Sequence, residues 1–295
     1  LHNDTLVVGS IYEDSNQDTI TNGSTASSDT SNSQSGAVWV FVRNGNNWSQ
    51  QAYIKASNSE AGDEFGYSVA VSGDIIAVGA PKESSNQIII TNGSTSSSNN
   101  SAYASGAVYV YKRTNGNWAQ QAYIKTSTQN WGVSNLWFGA SVDLSDSILV
   151  VGAPFSASNN NDASLFLFSS NIEEEWGQNA RLQASNNSNE NLQLGTTVSI
   201  SQSGTYIVSS TGLSWDADRV RVFHNPDGDD PWSLQASISP TNNNIYSTND
   251  RFGESVSISS DGGYLVIGST LEDSNQTTIT QGSSSSSNNS LQNSG

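Results

Sequence analysis

One four-part pattern recurs along this chain, and a recurring unit fixes the architecture before any single residue does. Trp48, Trp118, Trp176 and Trp232 each lead an Ala four positions on (Ala52, Ala122, Ala180, Ala236) and an aliphatic residue six positions on (Ile54, Ile124, Leu182, Ile238). A second anchor, Phe-Gly, stands at Phe65-Gly66, Phe138-Gly139 and Phe252-Gly253, and is weakened to Leu194-Gly195. A third closes an aliphatic run on Gly and a small residue: Val8-Gly9-Ser10, Val78-Gly79-Ala80-Pro81, Val151-Gly152-Ala153-Pro154 and Ile267-Gly268-Ser269. Val208-Ser209-Ser210 is its weaker copy. A fourth alternates apolar residues after a small one, in Gly36-Ala37-Val38-Trp39-Val40 and Gly106-Ala107-Val108-Tyr109-Val110. Ser164–Leu167 and Arg219–Val222 are looser versions of it.

Successive Trp anchors lie 70, 58 and 56 positions apart, so each period holds four short segments: A (Phe-Gly), B (Gly-Ala-Pro), C (Gly-Ala-Val) and D (Trp). They are rich in Val, Ile and aromatics and are parted by Gly, Asn, Ser and Asp, which predicts strands and turns with no helix competing. Asn44-Gly45 and Asn115-Gly116 are hairpin turns between C and D segments. Four hairpin-linked strands at a fixed period predict an all-β fold, a β-propeller of four-stranded antiparallel blades. The repeats fall at about 1–55, 56–125, 126–183, 184–238 and 239–295, so 1–295 reads as one propeller unit of four to five blades.

Phe-Gly followed by Gly-Ala-Pro resembles the FG-GAP repeats of integrin α-subunit propellers and of many bacterial surface proteins. Gly66 to Gly79 and Gly139 to Gly152 share one spacing, 13 positions. The resemblance implies a seven-bladed ring, an extracellular or cell-surface location, and adhesion or ligand binding without catalysis. It also implies further blades, or neighbouring propeller chains, that complete the ring. The chain starts at Leu1, contains no Met, and reads as a piece of something longer.

Composition narrows the partners. Ten basic against 27 acidic side chains give a net charge of −17, which repels a phosphate backbone and argues against nucleic acid. There is no Cys, which removes disulfides and thiolate metal sites. No apolar run approaches the roughly 20 residues of a membrane-spanning helix.

Strand alternation puts the B–C and D–A loops on one face. Three B–C connections have the same length, 27 positions from Gly9 to Gly36, Gly79 to Gly106 and Gly268 to Gly295. Each carries the same polar set: Glu13-Asp14-Ser15-Asn16, Glu83-Ser84-Ser85-Asn86 and Glu272-Asp273-Ser274-Asn275. A Thr-Asn-Gly-Ser or Thr-Gln-Gly-Ser follows at Thr21–Ser24, Thr91–Ser94 and Thr280–Ser283. Two readings stay open for these loops: Asx-type caps on the blade, or an oxygen-rich cation site, with Asp14 and Asp273 as calcium ligands. Asp227 and Asp229, on a C–D turn, are further calcium candidates, although no cofactor is required. The A–B connections, where the resembled family holds calcium, offer one Asp at most and read as tight turns. Asp63 and Asp250, two residues before Phe-Gly, read as turn formers.

The candidate ligand face therefore comprises Glu13, Asp14, Asn16, Glu83, Asn86, Glu272, Asp273 and Asn275. Three aromatics outside the repeat pattern join them: Trp131, Trp137 and Trp215. The leading expectation is a noncatalytic adhesion or structural module taking a protein or glycan ligand at a cell surface. A glycan-binding, lectin-like propeller is the alternative. A secreted hydrolase is the third reading, and it is poorly supplied: the only histidines are His2 and His224, and no Gly-x-Ser-x-Gly elbow exists.

Overall fold

Runs of Val, Ile and aromatic residues between Gly and Asn turns become strands when the two faces of each run find apolar cover. The computed structural model describes residues 1–126, 134–155, 163–183, 193–212, 220–226, 231–240 and 251–271; among these there are strands and turns and no helix. Blade 1 is β1 (Thr5–Ser10), β2 (Thr21–Asn22), β3 (Ala37–Asn44) and β4 (Asn47–Ile54), in the spatial order β1-β3-β4-β2. Blade 2 is β5 (Ser68–Ser72), β6 (Ile75–Ala80), β7 (Thr91–Asn92), β8 (Ala107–Thr114) and β9 (Asn117–Ile124), in the order β5-β6-β8-β9-β7. Blade 3 is β10 (Ser141–Ser145), β11 (Ile148–Ala153), β12 (Ser164–Ser170) and β13 (Trp176–Gln183). Blade 4 is β14 (Val198–Ile200), β15 (Tyr206–Ser210), β16 (Val220–His224) and β17 (Ser233–Ile238), and blade 5 is the pair β18 (Phe252–Ile258) and β19 (Leu265–Ser269). Within the blades every strand pairing is antiparallel, as expected of propeller blades.

The cores lie between blades. Ile76 and Val78 of β6 join Val38 and Ile54 of blade 1, whereas Ala77 between them joins Leu149 and Val151 of blade 3. Alternate residues of one strand thus serve two different cores. That is why the segments read as continuous apolar runs and not as a polar-apolar alternation.

Phe-Gly and Gly-Ala are two halves of one joint. Gly79 packs so closely on the next blade that a Cβ there would sit 2.0 Å from the carbonyl oxygen of Gly139; at Gly152 it would sit 2.1 Å from that of Gly195. Beside each contact a hydroxyl bonds the same carbonyl: Ser68 Oγ to Gly139 O at 2.7 Å, Ser141 Oγ to Gly195 O at 2.7 Å, and Thr197 Oγ1 to Gly253 O at 3.1 Å. In blade 4 the glycine place is taken by Ser210, one residue later than the sequence pattern placed it. Val198 pairs with Ser209, which leaves Ser210 opposite Thr197, just as Gly79 stands opposite Ser68.

The C–D hairpins share a register but not a turn. Thr114 pairs with Asn117 around Asn115 (φ 51°) and Gly116 (φ 82°), the two left-handed residues of a type I′ turn. Asn44 pairs with Asn47, so the first hairpin turns on Gly45-Asn46 instead of on Asn44-Gly45, and only Gly45 has positive φ.

Each C–D pair also carries a β-bulge at the same place, after Val40, Val110, Leu167 and Val222. The extra residue is Gln51 in blade 1 and Gln121 in blade 2, and a bulge frees such a residue to bond outside the ladder. Gln51 Oε1 accepts the indole N–H of Trp118 at 2.9 Å, and Gln121 Oε1 accepts that of Trp176 at 3.0 Å. Trp118 is accordingly 2% exposed, while Trp48, with no described blade on its side, is 43% exposed.

Candidate functional site

The B–C and D–A loops do share one face, and backbone hydrogen bonds stitch them together. Gly62, Glu64 and Phe65 donate to the carbonyls of Ser33, Gln34 and Ser35, and the pattern recurs one blade on with Trp137 to Ala104 and Phe138 to Ser105. The long B–C loop then swings outward. Its Thr21-Asn22 pairs along the outer strand β4 and its Thr91-Asn92 along β9, covering edges that would otherwise be open. From there Asn22 clasps the next blade, Oδ1 accepting from Trp118 N at 2.7 Å and Nδ2 donating to Trp118 O at 3.1 Å. Asn92 repeats this on Trp176 at 2.8 and 3.3 Å.

Beneath each loop lies a buried ion pair. Lys55 Nζ donates to Glu13 Oε2 at 2.7 Å and to Ser35 Oγ at 2.7 Å; Lys125 Nζ donates to Glu83 Oε2 at 2.6 Å and to Ser105 Oγ at 2.8 Å. Both glutamates also accept a backbone N–H at their Oε1, from Ser15 and Ser85. Tyr53 and Tyr123 close the networks through the Ser15 and Ser85 hydroxyls. Burial pulls both lysines below the ordinary amine value, against the pull of their glutamates. Asp63 is buried near the second pair, and its carboxyl is pushed up to about 8, first by burial and then by the charge of Glu83. A buried pair holds its place firmly, since removing one partner strands the other at a cost of about 3–5 kcal/mol.

On the same loop face an aromatic patch is exposed to solvent. Trp137, one position before the buried Phe138, has φ 54° and is half-buried. It packs edge-on against Phe155 at 5.0 Å and Tyr67 at 6.3 Å, with Lys82 Nζ 5.7 Å from its ring centroid. Lys82 is ion-paired with Glu64 at 2.6 Å, and Glu64, then Tyr103 and Tyr12, hold its amine above the ordinary value. Tyr12 and Tyr103 are 68% and 69% exposed, and the backbone at Tyr103-Ala104 accepts hydrogen bonds from Asn135 and Trp137.

Residues 48–111 and 232–284 match the family of FG-GAP repeats. The chain contains FG-GAP repeats. The first matched stretch runs from the D strand of blade 1 to the C strand of blade 2 and so includes the Phe-Gly and Gly-Ala segments of blade 2, joined by the Gly66 N–H to Gly79 O bond, with their long loop. No curated protein sequence matches the chain. Among solved structures, the crystal structure of a protein from Lactobacillus plantarum superposes with a TM-score of 0.48 at 9% identity, covering 86% of this chain and 60% of that one. The chain therefore spans less than two thirds of that protein.

In these FG-GAP blades the residues expected on the ligand face are dispersed. Glu13 and Glu83 turn inward, against the expectation of an open face, because each is the partner of a buried lysine. Asp14 Oδ1 accepts Gln34 N–H at 2.7 Å, an Asx-type cap across the loop. The backbone N–H of Asn16 and of Asn86 bonds across the same loops, to Asp29 Oδ1 and Asn99 O. Trp137 stands in the aromatic patch. Glu272, Asp273, Asn275, Trp131, Trp215, Asp227, Asp229 and Asp250 lie outside the described residues. Among the described residues no three His, Cys, Asp or Glu side chains gather closely enough to hold a metal ion. Asp63 forms the expected turn, its Oδ2 accepting Glu60 N–H at 3.1 Å. His224 lies flat on Tyr206 at 4.2 Å. The patch members Tyr12, Tyr67, Tyr103, Lys82 and Phe155 escaped the sequence reading. The signal available was position: Tyr12, Lys82 and Phe155 each stand three residues after the glycine of a Gly-small pair.

Proposed function

We propose that this FG-GAP propeller is a noncatalytic module of an extracellular or cell-surface protein, built for adhesion, that binds its ligand on the long-loop face. The observation that carries this reading is the aromatic patch of Tyr67, Trp137 and Phe155 around Lys82, with the exposed rings of Tyr12 and Tyr103 on the same braced long loops. Loops fixed to a rigid scaffold are where binding concentrates, and Tyr, Trp and a lysine offer apolar area with hydrogen-bonding edges. The absence of Cys and the acidic, amide-rich surface are compatible with life outside the cell.

A glycan ligand is the second reading, favoured by the exposed tyrosine faces, because aromatic rings stack on the apolar face of a sugar. One experiment separates the two. Purified protein is applied to an array carrying both glycans and extracellular matrix proteins. Selective retention on protein spots supports the first reading, and selective retention on glycan spots supports the second. Turnover of a spotted substrate would contradict both.

A further inference from the structure

Asn58, on the loop leaving blade 1, reaches into the buried ion pair of blade 2. Its Nδ2 donates to Glu83 Oε1 at 3.1 Å, while Lys125 Nζ donates to Glu83 Oε2 at 2.6 Å. Its carbonyl oxygen, Oδ1, accepts the hydroxyl of Tyr109 at 2.6 Å. Glu83 and Lys125 side chains are each 1% exposed, and Tyr109 is fully buried. One carboxylate therefore bridges a buried amine and a half-buried carboxamide, and a phenol is aimed at the carboxamide oxygen. We propose that Lys125 and Asn58 become joined by an isopeptide bond, with Glu83 as proton relay and Tyr109 as donor to the amide oxygen.

The step balances without any co-reactant. The ion pair first passes a proton from Nζ to Glu83 Oε2, leaving a neutral amine beside a neutral carboxylic acid; burial favours this by pulling the Lys125 amine below its ordinary value. The Nζ lone pair attacks Cγ of Asn58, the C=O π electrons move to Oδ1, and the Tyr109 hydroxyl stabilises the charge that develops there. Burial drives the Tyr109 hydroxyl well above its ordinary value, so it remains a proton donor. Glu83 gives its proton to Nδ2, the Cγ–Nδ2 bond breaks as the carbonyl reforms, and ammonia leaves. The second Nζ proton returns to the Glu83 carboxylate. The product is a Lys125–Asn58 amide, with the chain lighter by one ammonia. Holding amine and amide on one carboxylate supplies the proximity that such a sluggish acyl transfer needs.

Blade 1 provides a comparison within the molecule. Lys55 and Glu13 repeat the same pair, but among the described residues no asparagine side chain donates to Glu13, whose bonds go to Lys55 and Ser15. Among the described residues one cross-link is expected, tying the blade 1–blade 2 connection to the end of the blade 2 outer strand.

Intact-mass spectrometry of the purified full chain, followed by digestion, tests this. The expected result is a mass one ammonia below that of the sequence, and a cross-linked peptide pair containing Asn58 and Lys125. Lys125→Arg and Glu83→Gln should restore the full mass, and Tyr109→Phe should slow the appearance of the lighter species. Should Glu83→Gln fail to fold, Asn58→Ala, a change in a half-buried loop, serves as the unlinked variant. A folded wild-type chain at full mass overturns the proposal. So does an ammonia loss that persists in Lys125→Arg, which would be an asparagine cyclised on its own backbone.

Discussion

The indole N–H of Trp118 donates to Oε1 of Gln51 across the boundary between two blades, at 2.9 Å. Gln51 is available because a β-bulge leaves it out of the strand ladder, and Trp118 is buried because the neighbouring blade covers it. Removing that indole empties a large core site. Trp118→Ala should lower unfolding free energy by about 3–5 kcal/mol, whereas Trp48→Ala, at the same repeat position but exposed, should cost less than about 1 kcal/mol. Denaturant titrations of the two variants check the contrast; equal losses would break the link between indole burial and a covering blade.

The Phe-Gly/Gly-Ala joint leaves no room for a methyl group. Gly79→Ala should destabilise by at least about 3 kcal/mol, the upper range for overpacking against backbone that cannot yield. Gly177→Ala, where a Cβ meets nothing within 4 Å, should stay within about 0.5 kcal/mol. Thermal melts of both proteins decide it.

Asp63 sets a pH dependence. Its folded value of about 8 lies above the ordinary aspartate value of 3.8, so the folded state holds a proton that the unfolded chain has released. The stability it contributes is complete below the unfolded value and is lost as pH rises through the folded one. Asp63→Asn, which keeps an acceptor for Glu60 N–H, should therefore flatten the fall in stability between about pH 4 and pH 8. The check is a melting series across that range; a variant that parallels wild type would show that Asp63 is charged at neutral pH.

Among the described residues the loop carboxylates Glu13, Asp14 and Glu83 act as braces, so calcium has little to hold at these three positions. Asp14→Asn should therefore leave any difference in melting temperature between calcium and EDTA unchanged. A rise of several degrees with calcium, lost in Asp14→Asn, would return Asp14 to the role of ligand.

The blades were legible because their signals are local and recur: Trp, Phe-Gly and Gly-Ala mark the same places in successive sheets. The joint between Gly79 and Gly139 was not, since no spacing says that two glycines from different repeats touch. The Ser210 offset shows the same limit, for only the strand register distinguishes it from Ser209. On the two described long loops, equal length and matched Glu and Asn residues signalled ordered structure. They did not say which way a side chain points. Glu83 looks like a surface ligand until Lys125, 42 positions away, is found beneath it. The exposed rings were hidden for the opposite reason: Tyr12 and Tyr103 sit amid polar residues, and only the fold shows them in solvent on the long-loop face.

The most direct test of the binding-face account compares wild type with a Tyr12→Ser/Tyr103→Ser double variant on the same array of glycans and matrix proteins. Both rings are largely in solvent, so the variant should melt within about a degree or two of wild type, as surface changes do. The account predicts that the spots retained by wild type are lost by the variant while its melting curve is kept. Retention of the same spots by both proteins would contradict it and place recognition elsewhere on the propeller.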